Sequence, residues 1–140
     1  MYNLKRIFYT ILTAFAVFIA LSGMYAPQAQ AYEKYLNGDS NYVLVYARMG
    51  VAKYADQSSA VLKKDGDTKV IAMNIVYVDD DHNTVTATEC WNFAYSSEPA
   101  MYYYNSQKNE WVRIGGAATY DMMRSSAQVA WKVIFGYNWS

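Results

Sequence analysis

His82, Ser58, Ser59 and the aspartates around them supply the side chains of a hydrolytic triad, in which a hydroxyl attacks, an imidazole takes its proton and a carboxylate orients the ring. Cys90 with His82 supplies those of a thiol dyad. The setting of these residues argues against both. The sequence has no nucleophile-elbow motif, the sole histidine falls in a predicted exposed turn, and Ser58 and Ser59 fit better as hydroxyls that bond the nearby backbone and shape a break before a strand. Asp79, Asp81 and Asn83 have the opening ligand spacing of an EF-hand loop. The sixth position is Thr84 where glycine is required, the twelfth is Cys90 where a bidentate glutamate is required, and the flanks read as strands. An ordinary acidic turn is the simpler reading. Gly115 and Gly116 open no phosphate loop, and Asn138, Trp139 and Ser140 form a sequon read as chance. The expectation is no enzyme, no catalytic residue, no metal and no cofactor.

Binding chemistry is the stronger signal. Beyond residue 31 the chain holds twelve of its 15 tyrosines and all four tryptophans. Such rings offer large contact area with two torsions to freeze, and a polar tip that tolerates water. They are also ordinary occupants of half-buried strands. The candidate binding residues are Tyr102, Tyr103, Tyr104 and Trp111. Alternate residues of a strand face opposite ways, so Tyr103 does not share a face with Tyr102 and Tyr104, and at least one ring is expected to meet solvent or a partner.

The elements that must carry these residues follow from periodicity. Residues 32–41 are polar and aperiodic and read as a flexible leader. Residues 42–49 and 51–54 read as a strand that bends at Gly50 and continues. A polar break at 56–59 precedes 60–64, and Asp65-Gly66 suits a two-residue hairpin turn. In the return strand, 68–78, Ile71, Met73, Ile75 and Tyr77 fall on one face and Val70, Ala72, Val76 and Val78 on the other, the mark of a central strand. Residues 84–95 place Val85, Ala87, Trp91, Phe93 and Tyr95 opposite Thr84, Thr86, Thr88, Cys90 and Asn92, with Glu89 as the one interruption of the apolar face. Short strands at 101–105 and 110–114 complete a meander. A helix over 120–135 then carries an apolar stripe of Met123, Ala127, Ala130 and Ile134 flanked by Tyr120 and Trp131, with Arg124, Gln128 and Lys132 on its other side. Thr119 suits its N-cap and Gly136 its C-terminal stop. The fold class is α+β: an antiparallel sheet of about six strands, in meander order, with one C-terminal helix packed on one face.

Location is read from residues 1–31. Lys5 and Arg6 precede an apolar run over 7–21, and Ala29-Gln30-Ala31 is a small-x-small cleavage triplet, so the segment is expected to be a signal peptide. A retained anchor is the rival, weakened by Thr10, Thr13, Ser22, Gly23 and Pro27. Leu21, Ser22 and Gly23 begin a lipobox, but Met24 stands where acylation needs cysteine. Cleavage removes two basic groups and leaves ten against twelve acidic, a balance with no footprint for nucleic acid or an anionic membrane. The domains are thus 1–31, the signal peptide; 32–41, the leader; and 42–140, one α+β domain. Cys90, the only cysteine, has no intramolecular partner and is expected to be a small buried hydrophobe in a strand.

Tyr54, Asp56, Ser58 and Ser59 form an aromatic-x-Asp-x-x-Ser step, Glu89-Cys90-Trp91 an acidic-Cys strand, and residues 102–111 a tyrosine-rich hairpin around a polar turn. In these short motifs the chain resembles the small secreted bacterial domains grouped with surface-adhesin protein E. The resemblance implies an antiparallel sheet carrying a helix and, for its best-known members, adhesion to host extracellular-matrix proteins. The chain departs from that group in having neither a lipid-anchor cysteine nor a second cysteine.

The expected function is an exported, non-catalytic binding module, adhesin-like, that recognises a protein partner of the extracellular matrix or cell envelope through an aromatic-rich sheet or hairpin surface. A structural or assembly component of the bacterial cell envelope is the alternative, and a small secreted enzyme or enzyme inhibitor ranks below it. The product is expected to be secreted, periplasmic or surface-associated, without membrane insertion after cleavage.

Overall fold

The computed structural model describes residues 32–117 and 120–140; the expected signal peptide and the Thr119 cap lie outside them. Six strands form one antiparallel sheet in strict sequence order: β1 (Tyr42–Arg48), β2 (Val51–Lys64), β3 (Lys69–Asp79), β4 (Thr84–Ser96), β5 (Ala100–Asn105) and β6 (Glu110–Arg113). One helix, α1 (Asp121–Phe135), follows. The meander with a C-terminal helix is the architecture the periodicity predicts.

β3 is central and apolar on both sides, as its residues require. Its face with Ile71, Met73 and Ile75 joins Ala55, Phe93 and Tyr95 under Ala127, Ala130 and Trp131 of α1. Burying each large apolar side chain there contributes about 1.5–3 kcal/mol. The helix follows its predicted stripe, with Ser126 added to the buried set because its hydroxyl donates to the carbonyl of Met122 at 2.8 Å. It stops at Gly136, whose φ of 82° is left-handed and whose N–H reaches the carbonyl of Lys132 at 2.8 Å. Tyr95 fastens helix to sheet: its hydroxyl donates to the buried carbonyl of Ala127 at 2.6 Å.

Several local expectations are corrected. Gly50 does not bend a continuing strand; Met49 and Gly50, with φ of 53° and 77°, reverse the chain so that β1 and β2 pair antiparallel. The polar stretch 56–59 does not break β2 but bulges within it, where the register shifts between Asp56 and Val61. The β2–β3 hairpin exists, but residues 65–68 all separate its strands and Gly66 lacks the positive φ a two-residue primed turn needs. A bulge near Thr86 pairs Val85 with Val78, so Val85 shares the face opposite the helix instead of that of Ala87.

The leader is corrected too. Residues 32–41 run against the sheet instead of hanging free: Tyr32 and Leu36 pack with Tyr42 and Leu44 over Ala52, Tyr54, Val76 and Val78. Tyr54 donates its hydroxyl to the carbonyl of Glu33 at 3.1 Å, and the N–H of Leu44 reaches the carbonyl of Lys34 at 2.9 Å. The face opposite the helix is therefore covered at this end by the chain's own N-terminal segment.

Candidate functional site

α1 does not roof the whole of its face. Cross-strand partners share a face, so the register sets Tyr46, Lys53 and Tyr77 in one row, with Glu89 beside Ile75 and Trp91 beside Met73 in the rows next to it. Lys53, Tyr77, Glu89 and Trp91, with Tyr103, Met122 and Met123 at the rim, line one open groove that starts on the helix side and runs to the edge of β4, where Tyr104 and the turn after β5 border it. Glu89, a misfit on an apolar face when read from sequence, sits here because this part of the face stays wet.

The groove is internally wired. Glu89 Oε2 accepts from the Tyr77 hydroxyl at 2.7 Å and from the Trp91 indole N–H at 3.0 Å. Lys53 Nζ lies 4.3 Å from the centre of the Tyr77 ring, 5.6 Å from Tyr46 and 5.7 Å from Trp91. An ammonium among three ring faces is held by their quadrupoles. The two donated hydrogen bonds, from Trp91 and then Tyr77, hold the Glu89 carboxyl below its usual range. Burial lowers the Lys53 ammonium, against the attraction of Glu89, and burial first and Glu89 second push the Tyr77 phenol up. The result is a preorganised surface of rings whose one cation and one anion compensate each other.

The sequence-predicted residues are split by the sheet. Tyr103 faces α1, its ring 6.4 Å from Tyr120, and joins the groove. Tyr102, Tyr104 and Trp111 take the opposite face, where Tyr104 and Trp111 pair across strands with ring centres 5.3 Å apart and Trp111 is 44 % exposed; Tyr104 also borders the groove at the sheet edge. Tyr104 donates its hydroxyl to Asn109. Sequence reasoning did not select Tyr46, Lys53, Tyr77, Glu89 and Trp91; the signals available were a lysine and a glutamate set among apolar neighbours.

The groups weighed for catalysis are engaged elsewhere. Ser58 donates to Asp56 Oδ1 at 2.6 Å, and Ser59 donates to the carbonyl of Asp56 at 2.6 Å while accepting the Asn74 N–H at 2.8 Å. His82 pairs not with either serine but with Asp79, Nδ1 to Oδ2 at 2.9 Å. Cys90 is exposed, not buried: its neighbours on that face of the strand, Thr88 and Asn92, are polar, and no element covers it among the described residues.

The His82–Asp79 pair makes stability depend on pH. The hydrogen bond to Asp79 raises the imidazole pKa, so its contribution is complete below the ordinary value of about 6.5 and is lost as pH rises through the raised folded value. The same bond lowers the Asp79 carboxyl, whose contribution is lost only as pH falls through that depressed value. The melting temperature is expected to fall slightly as pH rises through neutrality, and His82→Ala to flatten that slope. An unchanged slope in the variant would show the pair to be idle.

Compared with protein-family models, curated proteins and solved structures, the chain matches none. The fold and the groove therefore speak for themselves. Among the described residues no helix is long and apolar enough to cross a membrane.

Proposed function

We propose that the chain is an exported, non-catalytic binding module that recognises a protein partner through the aromatic half of its sheet. The residue pattern of 1–31 supports export, and adhesion to an extracellular-matrix or envelope protein is the form the family resemblance suggests. The observation that carries the reading is the groove: Tyr77, Trp91 and Tyr103 stand on rigid strands, half-buried, around a compensated Lys53–Glu89 couple. Rings already held by neighbours lose little entropy on docking, and aromatic anchors carry most of the energy of protein interfaces.

The test is binding of the full chain to immobilised matrix proteins and to envelope extracts. Trp91→Ala is expected to weaken the interaction at least about tenfold, the scale of an interface anchor, since it removes the ring and frees Glu89 from one of its two donors. Trp111→Ala, on the opposite face, is the control. If the control weakens binding and Trp91→Ala does not, the recognition surface is the hairpin face, not the groove.

A further inference from the structure

The rings of the groove are held by their rims. The Trp91 indole N–H and the Tyr77 hydroxyl, which both bond Glu89, lie in the planes of their rings, so these bonds fix the rings without covering their faces. Lys53 Nζ sits over Tyr77 and stays 5.7 Å from the centre of Trp91. Trp91 and Tyr103 are both half-buried and both line the groove.

The polar groups around these rings keep hydrogen-bonding capacity. Both bonds to Glu89 fall on Oε2, so Oε1 remains an acceptor. Lys53 Nζ is held by ring faces, and its three donors have no acceptor among the described residues. Asn105 spends its Oδ1 on the N–H groups of Gln107 and Lys108, at 3.1 and 3.2 Å, which leaves the two donors of Nδ2. Gln107, exposed at the groove border, makes no side-chain hydrogen bond among the described residues. β5 pairs with β4 only over residues 93–96; beyond them no strand is laddered to the outer edge of β4 among the described residues, and the groove, about 680 Å³, opens along it. That volume is within the roughly 300–1,000 Å³ of small-ligand clefts.

The common occupants of aromatic grooves fit poorly. An acidic polymer needs uncompensated cations, and the one cation here is balanced by Glu89. An amphipathic helix needs an unbroken apolar trough, which Lys53, Glu89, Asn105 and Gln107 interrupt. An added strand needs a regular run of outward main-chain groups, and the β4 edge is broken by its bulge near Thr86 and flanked by residues 104–107. A neutral sugar matches. Its ring presents a face of weakly positive C–H groups, which the negative face of an aromatic ring attracts, and a rim of hydroxyls that each donate and accept.

We propose that the groove binds a neutral glycan, with sugar rings on the faces of Trp91 and Tyr103 and hydroxyls on Lys53, Glu89 Oε1, Asn105 and Gln107. The glycan site rests on the groove being the recognition surface proposed above, and it names the chemistry that enters: a carbohydrate chain carried by a protein partner, or the same chain in a free polysaccharide.

The test titrates the full chain with neutral oligosaccharides of glucose, mannose, galactose and N-acetylglucosamine, followed by tryptophan fluorescence. Saturable binding to at least one series is expected, weakened at least tenfold in Trp91→Ala, which loses the stacking face, and unchanged in Trp111→Ala. Gln107→Ala removes an exposed amide that holds nothing in the fold, so it serves where Trp91→Ala is unstable; it is expected to weaken binding about threefold, the scale of one hydrogen bond. The chain is also bound to immobilised matrix proteins before and after enzymatic removal of their glycans. Loss of binding on removal supports a glycan carried by a protein. Sugar binding with no matrix or envelope protein bound supports a free polysaccharide and overturns the protein-partner reading alone. No binding to any series at millimolar concentration overturns the glycan site, as does sugar binding that Trp111→Ala abolishes and Trp91→Ala spares. Protein binding that survives removal of the glycans and still falls in Trp91→Ala overturns it too, while leaving the recognition role in place.

Discussion

Trp131→Ala is expected to lower the stability of the fold by about 3–5 kcal/mol, a large share of the roughly 5–15 kcal/mol that holds a domain together. Trp131 is 4 % exposed and is the hub of the aromatic cluster, with ring centres of Phe135 at 4.2 Å, Trp139 at 4.5 Å, Tyr95 at 4.9 Å and Tyr137 at 5.8 Å. Removing the indole leaves a cavity among rigid rings that lie on three different segments and cannot all collapse into it. Trp131→Phe separates two contributions. The indole N–H is buried without a hydrogen-bond partner among the described residues, and leaving such a donor dry costs about 1–3 kcal/mol. Phenylalanine deletes that donor along with part of the volume, so its net effect is expected to be far smaller than that of alanine. Chemical denaturation followed by far-ultraviolet circular dichroism measures both. Equal losses for the two variants would mean that the indole N–H finds a partner in solution.

Ser59→Ala is expected to cost about 1–3 kcal/mol, because it orphans a main-chain donor in the middle of the sheet. Asn74 is the cross-strand partner of Asp56 at the edge of the β2 bulge, and the Ser59 hydroxyl bridges their main chains: it accepts the Asn74 N–H at 2.8 Å and donates to the Asp56 carbonyl at 2.6 Å. Ser58 makes its 2.6 Å bond to Asp56 in solvent, so Ser58→Ala is expected to be nearly neutral. Amide hydrogen exchange at Asn74 gives the local readout, slow in the native chain and faster in Ser59→Ala. If the two serines prove equally costly, the bulge is held by the turn as a whole and not by this hydroxyl. The serine that resembles a nucleophile in the sequence is, on this account, a bridge between the Asn74 N–H and the Asp56 carbonyl.

The elements themselves were legible because burial imposes a period on the chain. Two apolar faces in 68–78 required a central strand, while alternation in 84–95 and the stripe Met123, Ala127, Ala130 and Ile134 each required one buried face, and the meander and its helix follow from them. Glycine at 136 was legible for a similarly local reason, since a left-handed residue ends the helix. Where a position's environment is set by residues next to it in the chain, the sequence is enough.

The candidate site was legible only in part. Tyr103 was selected, but Tyr102 and Trp111 lie on the other side of the sheet and Tyr104 reaches the groove only at its border, while the other companions of Tyr103, Lys53, Tyr77, Glu89 and Trp91, come from three other strands. Cys90 was misplaced because alternation reports which residues share a face and not whether that face is covered. What the sequence alone determined is the run of strands β3 to β6, the helix and most of the faces their side chains take, all consequences of local geometry and the removal of apolar surface from water. Which face stays open, where the N-terminal segment lies and which edge is left unpaired were decided only in the tertiary structure. They depend on bulges that reset the register and on the reach of one helix across part of a sheet, and no short-range period encodes either.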